Sequence, residues 1–313
     1  IRYLRHHLDL LQLGGADPDR RVVVDAGCGF GFTMILDALL GATRVHGIEV
    51  NRSMVQTIET FLPLLPDEVA SRVEVHCASV TKMPLEDESA DIVLSVEAIS
   101  HYLHVEEFID EAFRVLRPGG VLLIADGNNG SNPIVRRHTY EIWEAAERGQ
   151  ADQTVRGHLL GEPYVEVRRQ VLQTNFPEMS APAAAEIARR TAGFTADRVI
   201  AAGRDYLEHS ALPSSIYRRR KLAVAPDGTA MEELFHPGRL ARQLRQRGFQ
   251  ARAYGYWGGA NGSALIRSVN RALTALSPVT MPTAPSFRVV ARKPAAPVAP
   301  PELESDRNER PER

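Results

Sequence analysis

The residues best suited to chemistry are Asp25-Ala26-Gly27-Cys28-Gly29-Phe30-Gly31, an acid followed by three glycines at alternate positions. Glycines remove the Cβ atoms that hold a ligand off the main chain, and a helix beginning near Phe32 would aim its first amides at the same spot. A ligand can therefore lie against bare backbone. The spacing discriminates between ligands, because a dinucleotide fingerprint requires G-x-G-x-x-G and here the third glycine comes one residue early. A second acid, Glu49, closes the run TRVHGIEV, where a carboxylate would meet the two hydroxyls of a ribose.

These residues need strands and helices to hold them. Residues 21–25 form a short β-branched run suited to a buried strand, and strand and helix then alternate. Strands are predicted at 44–49, 72–77, 91–96 and 120–125, with helices at 32–40, 52–62 and 105–116. Such alternation means a parallel sheet with helices on both faces and ligands at the carboxyl ends of the strands. Ahead of it, residues 2–13 place Tyr3, Leu4, Leu8 and Leu11 at helical spacing, with His6 and His7 read as solvated. Pro118 is expected to stop the helix before the fifth strand and Gly119-Gly120 to allow the turn. Residues 127–235 read as helical pieces near 133–148, 163–174, 181–192 and 195–210. The helix in HPGRLARQLRQRGF turns Leu240 and Leu244 inward, and strands follow in QARAYGYWGG and SFRVVARK.

The D-x-G-x-G-x-G turn, the acid on the next strand and the RVLRPGG junction resemble the class I S-adenosylmethionine-dependent methyltransferases, with a core like that of the ubiquinone/menaquinone methyltransferases. The resemblance implies an α/β fold: a Rossmann-like, doubly wound, seven-stranded sheet, mostly parallel with an antiparallel last strand, plus a mainly helical insertion. It divides the chain into an N-terminal helix (1–19), a cofactor core (20–126), an insertion or substrate cap (127–235), the end of the sheet (236–293) and a tail (294–313) of proline, alanine and charge, expected to be disordered. It implies S-adenosylmethionine as cofactor, held by Asp25, the main chain of Gly27, Cys28, Gly29 and Gly31, and by Glu49 and Val50. Ser79, where many relatives carry an acid, and Val80 fall on the adenine side, and Val96 ends the fourth strand beside the cofactor. Asp25 could otherwise be a turn cap and Glu49 a strand-end acid.

Glu97 and His101, in SVEAISHY, resemble the acid and histidine that relatives carry where sulfonium and acceptor meet. Neutral imidazole near pH 7 can take a proton from a hydroxyl acceptor, so His101 is either a base or a wall of the pocket. Tyr102, Asn128 and Asn129 are candidate substrate contacts, although the run DGNNGSN also reads as turn chemistry before a helix at Pro133. In the insertion His138, Tyr140, Trp143, Tyr164, Tyr206 and Tyr217 could line a pocket or simply pack. Within 262–276, Leu265, Val269, Ala272 and Leu276 share a helical face, read as packed on the insertion in preference to a lip touching a membrane or lipid-linked substrate.

Composition narrows the function classes. The 313 residues are 44% hydrophobic and 24% charged with a net charge of -2, which gives no reason to expect nucleic acid. The run Arg218-Arg219-Arg220-Lys221 reads as a solvated helix end. Cys28 and Cys77 lack metal-ligand spacing, so no metal is expected, and a reducing cytoplasm fits. No apolar run is long enough to span a membrane. The chain begins at Ile1, so some N-terminal sequence is expected to be missing. The expected activity is methyl transfer to a small-molecule acceptor, O-methylation before C- or N-methylation, with a lipid- or glycan-linked acceptor among the options. The alternatives are a catalytically silent S-adenosylmethionine-binding regulator and an NAD-dependent oxidoreductase.

Overall fold

In the computed structural model, residues 2–214, 223–224, 231–259 and 262–295 are described. The tail 296–313, Tyr217 and the Arg218–Lys221 run lie outside the described residues. Seven strands form one sheet: β1 (Val22–Ala26), β2 (Arg44–Glu49), β3 (Val73–Cys77), β4 (Ala90–Val96), β5 (Leu116–Asp126), β6 (Gln250–Tyr256) and β7 (Ser286–Arg292). Their order is β6-β7-β5-β4-β1-β2-β3. Only β7 runs antiparallel, against both β5 and β6. The chain reverses direction in strand order at β1 and β4, which opens a crevice at their carboxyl ends.

Strand residues alternate between two cores. Val23, Val45 and Leu94 face α1 (Arg2–Gly14), α2 (Phe32–Leu39) and α3 (Arg52–Phe61), whereas Val24, Ile48 and Val93 face α4 (Val105–Val115) and the later helix 237–246. Phe108, Leu240 and Leu244 are buried there, each contributing about 1.5–3 kcal/mol. Asn51 starts α3 by accepting the Ser53 amide at 3.0 Å.

Two local expectations are corrected. α4 stops at Val115, before Pro118 is reached, because Leu116 already pairs with Ala90. Arg117–Gly120 then bulge out of β5 before Val121 pairs with Ile92, with Gly119 at φ 85°. In α1 the buried side chains are His7, Leu10 and Leu11, while Leu4 and Leu8 are exposed, so His7 is not solvated.

The insertion contains α5 (Pro133–Arg148), α6 (Tyr164–Asn175), α7 (Ala181–Arg190) and α8 (Ala196–His209). Leu172, Ile187, Ala188 and Val199 form a core of their own. Beside it lies Arg168, fully buried against Glu147 and donating from Nε to the Ala188 carbonyl at 2.9 Å. The chain returns along 233–235, where the Glu233 amide donates to Ser100 O and Phe235 to Asn128 O. Next come α9 (Pro237–Gln246) and α10 (Ala264–Ala275). Among the described residues α10 packs mainly on β6. Leu265, Ile266, Val269 and Leu276 are left exposed, which corrects the packed reading. No helix among the described residues is long and apolar enough to cross a membrane.

Candidate active site

The glycine turn lies at the carboxyl ends of β1 and β2, and its three glycines do different things. All three have positive φ, 72° at Gly27, 54° at Gly29 and 78° at Gly31. A Cβ on Gly27 would sit 2.8 Å from Ala98 Cβ, and one on Gly31 would press on Ile58 at 3.3 Å. At Gly29 it would meet nothing within 4 Å, so the open stretch of main chain is centred on Gly29. The amides of Gly27 and Cys28 donate to Ile48 O at 2.8 and 3.2 Å, binding the turn to β2. Cys28 turns its side chain into the core, which leaves only its main chain available, and burial pushes its thiol far up.

Glu49 reaches this opening. One carboxylate oxygen accepts the Gly29 amide at 3.0 Å and the other the Asn51 amide at 2.8 Å. The Ala78 amide donates to Glu49 O at 3.0 Å, which brings the loop after β3, with exposed Ser79 and half-buried Val80, to the same edge. Ser79 Oγ engages the Thr81 hydroxyl at 2.8 Å. Val50 is exposed and Val96 half-buried at the ends of β2 and β4.

Asp25 differs from the expectation. Its position in β1 turns it toward α1 and α2, under the turn, where it is 1% exposed. Thr33 bonds it there. His7 Nε2 and Asp37 Oδ1 pair at 2.7 Å in the same place. Among the described residues one oxygen each of Asp25 and Asp37, and Nδ1 of His7, have no hydrogen-bond partner. Burial, with the Asp37 charge second, pushes the Asp25 carboxyl up to about 7. The sequence concealed His7 and Asp37 because they meet across 30 residues.

A second group of charges gathers at the ends of β4, β5 and β7. Glu97 has φ 50°, a strained value for a residue with a side chain, and its carboxylate accepts the Gly127 amide at 2.9 Å. Asp126, 1% exposed, accepts from the Asn128 and Ser100 amides at 2.8 and 3.2 Å. Withdrawal from water pushes both carboxyls up, and in Glu97 the neighbouring Asp126 adds to it. Exposed His101 lies close enough to favour the charged form of each. Arg288 of β7, 3% exposed, lies 4.0 Å from the centre of the Tyr256 ring, and the Tyr256 hydroxyl donates to Asp9 of α1 at 2.9 Å. Asp9, Tyr256 and Arg288 carried no motif, because three separate elements bring them together.

Tyr102 and Asn129 are corrected to supports. Tyr102 is buried, its hydroxyl donating to Ala26 O at 2.6 Å and lying 3.0 Å from Ser95 Oγ, beneath Gly27. Asn129 is fully buried and donates to Met281 O and Ala284 O at 3.0 and 2.8 Å. Asn132 caps α5 through the Ile134 amide at 2.8 Å, so this stretch of DGNNGSN is turn chemistry. Asn128 is half-buried at the crevice end of β5. Trp143 is core, donating to Glu232 at 2.6 Å.

A doubly wound sheet in this order, with a glycine turn after its first strand, an acid ending the second and one reversed strand, defines a Rossmann-like fold of the class I methyltransferase type. Residues 24–124 match the family model described as methyltransferase domain, so this core is similar to the class I S-adenosylmethionine-dependent methyltransferases. A probable S-adenosylmethionine-dependent methyltransferase of Mycolicibacterium smegmatis is 34% identical over 133 residues, 41% of this chain and 48% of the relative. The 2-methyl-6-phytyl-1,4-hydroquinone methyltransferase of Synechocystis is 33% identical over 43% of this chain and 41% of its own. A 24-methylenesterol C-methyltransferase of Oryza sativa is 36% identical over 36% of this chain and 30% of its own. The chain thus spans half or less of the length of these relatives.

Proposed function

We propose that this chain transfers a methyl group from S-adenosylmethionine to a small molecule bearing a hydroxyl group and an extended apolar portion. The observation that carries this reading is Glu49, 3.0 Å from the Gly29 amide, beside main chain that no side chain covers. The residues present fit the cofactor: an acid for ribose hydroxyls and open backbone for the amino-acid end. Bound there, S-adenosylmethionine supplies an electrophilic methyl carbon on a sulfonium.

The chain's own work is alignment and proton removal. Holding two reactants in line is worth up to about 7–11 kcal/mol of barrier. Glu49 accepts from the ribose, Val50 and Val80 flank the adenine, and Ser79 accepts from its amino group. His101 takes the proton of the acceptor hydroxyl, a step worth about 10²–10⁴ in rate. Glu97 and Asp126 stabilise the imidazolium so formed, and Arg288 balances the carboxylates behind it. Methyl transfer to the deprotonated oxygen is the first reading. Transfer to a carbon is the second, favoured by the name of the sterol C-methyltransferase relative. Exposed Leu4 and Leu8 on α1, with the open face of α10, support an acceptor with an apolar tail.

Calorimetric titration with S-adenosylmethionine and with NAD is the first test: binding of S-adenosylmethionine alone is expected, and binding of NAD alone refutes the reading. Labelled methyl transfer into lipid and aqueous extracts of the source cell follows, with mass spectrometry separating methoxy from carbon-methyl products. Cofactor binding without transfer to any component would favour the silent regulator. His101→Ala should lower turnover by about 10²–10⁴ and leave cofactor affinity unchanged. Equal turnover would make His101 a wall.

A further inference from the structure

Three potential metal donors meet on β2 and β3, away from the crevice. His46 lies on β2, three residues before Glu49 and on the opposite face of the strand. Glu74 and His76 lie two apart on β3, so both project from one face, and Glu74 pairs directly with His46 in the parallel register. β3 is the edge strand of the sheet, and residues 78–89, which lead on to β4, form no helix to cover this part of it. The two imidazoles are nevertheless mostly withdrawn from water, their side chains 17% and 18% exposed.

His46 Nδ1 and His76 Nε2 are 3.1 Å apart. One Glu74 oxygen lies 3.6 Å from His46 Nδ1 and the other 3.7 Å from His76 Nε2. A hydrogen bond between the rings accounts for the first distance. It leaves the carboxylate facing both nitrogens from beyond hydrogen-bonding range. Bonds of about 2.0–2.2 Å from zinc to nitrogen or oxygen put neighbouring tetrahedral ligands about 3.3–3.5 Å apart, and the three separations bracket that range.

We propose that His46, Glu74 and His76 bind one divalent transition-metal ion, zinc by the character of its donors, with a fourth position left for water. The carboxylate offsets half of the ion's charge, and the two neutral imidazoles donate lone pairs to it. Arg44, two residues before His46 on the same face, is the charge that opposes a cation here. It is drawn away toward Ser71 O, 3.3 Å from Nη1. The ion would pin the edge strand β3 to β2. No motif announces the site, because His46 and His76 stand 30 residues apart and are joined only by strand register.

The test uses the whole chain, without a histidine tag and after chelator treatment, titrated calorimetrically with zinc chloride near neutral pH. One equivalent should bind saturably, and Co²⁺ in its place should show the visible absorption of a tetrahedral site. His46→Ala, His76→Ala and Glu74→Gln should each weaken zinc binding at least about tenfold. Their affinity for S-adenosylmethionine should stay that of the unaltered chain, which also reports that they fold. Binding should fail at acid pH, where protons displace the metal from imidazole. No saturable uptake by the unaltered chain would overturn the proposal, leaving the rings merely hydrogen-bonded. Undiminished zinc affinity in the folded His46→Ala and His76→Ala chains would overturn it equally.

Discussion

Replacing Glu49 tests the assignment on which the functional reading depends. Its carboxylate holds two main-chain amides, Gly29 at 3.0 Å and Asn51 at 2.8 Å, and it is 8% exposed. A hydrogen bond to a charged acceptor contributes about 1.5–3 kcal/mol. In the free protein Glu49→Ala releases two amides, but Asn51 is exposed and Gly29 borders open space, so water can reach both. The folding cost should therefore stay at about 1–3 kcal/mol. In the complex the ribose loses its charged acceptor, and the same 1.5–3 kcal/mol becomes about a 10- to 150-fold rise in the dissociation constant for S-adenosylmethionine. Glu49→Gln keeps an oxygen without the charge and should fall between. Titration calorimetry reads the affinity, and thermal unfolding run alongside reads the fold. If Glu49→Ala unfolds cooperatively and binds S-adenosylmethionine within about twofold of the unaltered chain, the carboxylate does not touch the cofactor and the reasoning fails.

The remaining predictions follow from the same neighbourhood and from the insertion. Gly29→Ala should cost about 1–2 kcal/mol of stability for its positive φ and sharply weaken cofactor binding, whereas Gly27→Ala, with Ala98 in its way, should lose much more stability; equal unfolding temperatures for the two would contradict the geometry. The Asp25 carboxyl is raised from 3.8 to about 7 in the folded chain, so the stabilisation it gives is complete below about pH 4 and is lost as pH rises through about 7. Asp25→Asn should remove that dependence, at most about 4 kcal/mol, and parallel curves of unfolding temperature against pH for the two proteins would refute it. Glu147→Ala leaves Arg168 buried and unpaired and should destabilise the insertion by about 3–5 kcal/mol, read by denaturant unfolding. An unchanged midpoint would show that Arg168 finds water.

What could be read from the sequence divides along the range of the interaction. The strand, turn and helix around Gly27–Gly31 are local, and so are the period-2 and period-3.6 patterns that place β1–β7 and the helices of the insertion. These follow from neighbours a few residues apart. The face of α1 does not. Its apolar residues can be grouped as Leu4, Leu8 and Leu11 or as Leu10 and Leu11 beside His7. The choice is made by Asp37, 30 residues on, which offers His7 a buried partner at 2.7 Å. Asn129 and Tyr102 failed as substrate contacts for the same reason. Polar side chains near a crevice look alike in sequence whether they face a ligand or a distant carbonyl such as Ala284 O or Ala26 O. The apolar face of α10 is the converse case, a local pattern whose partner the fold never supplies. One physical rule covers all four: periodicity states which side chains share a face, but only the path of the whole chain states what that face meets. Asp9, Tyr256 and Arg288, drawn from α1, β6 and β7, are the clearest case, since they meet one another although no local pattern singles them out.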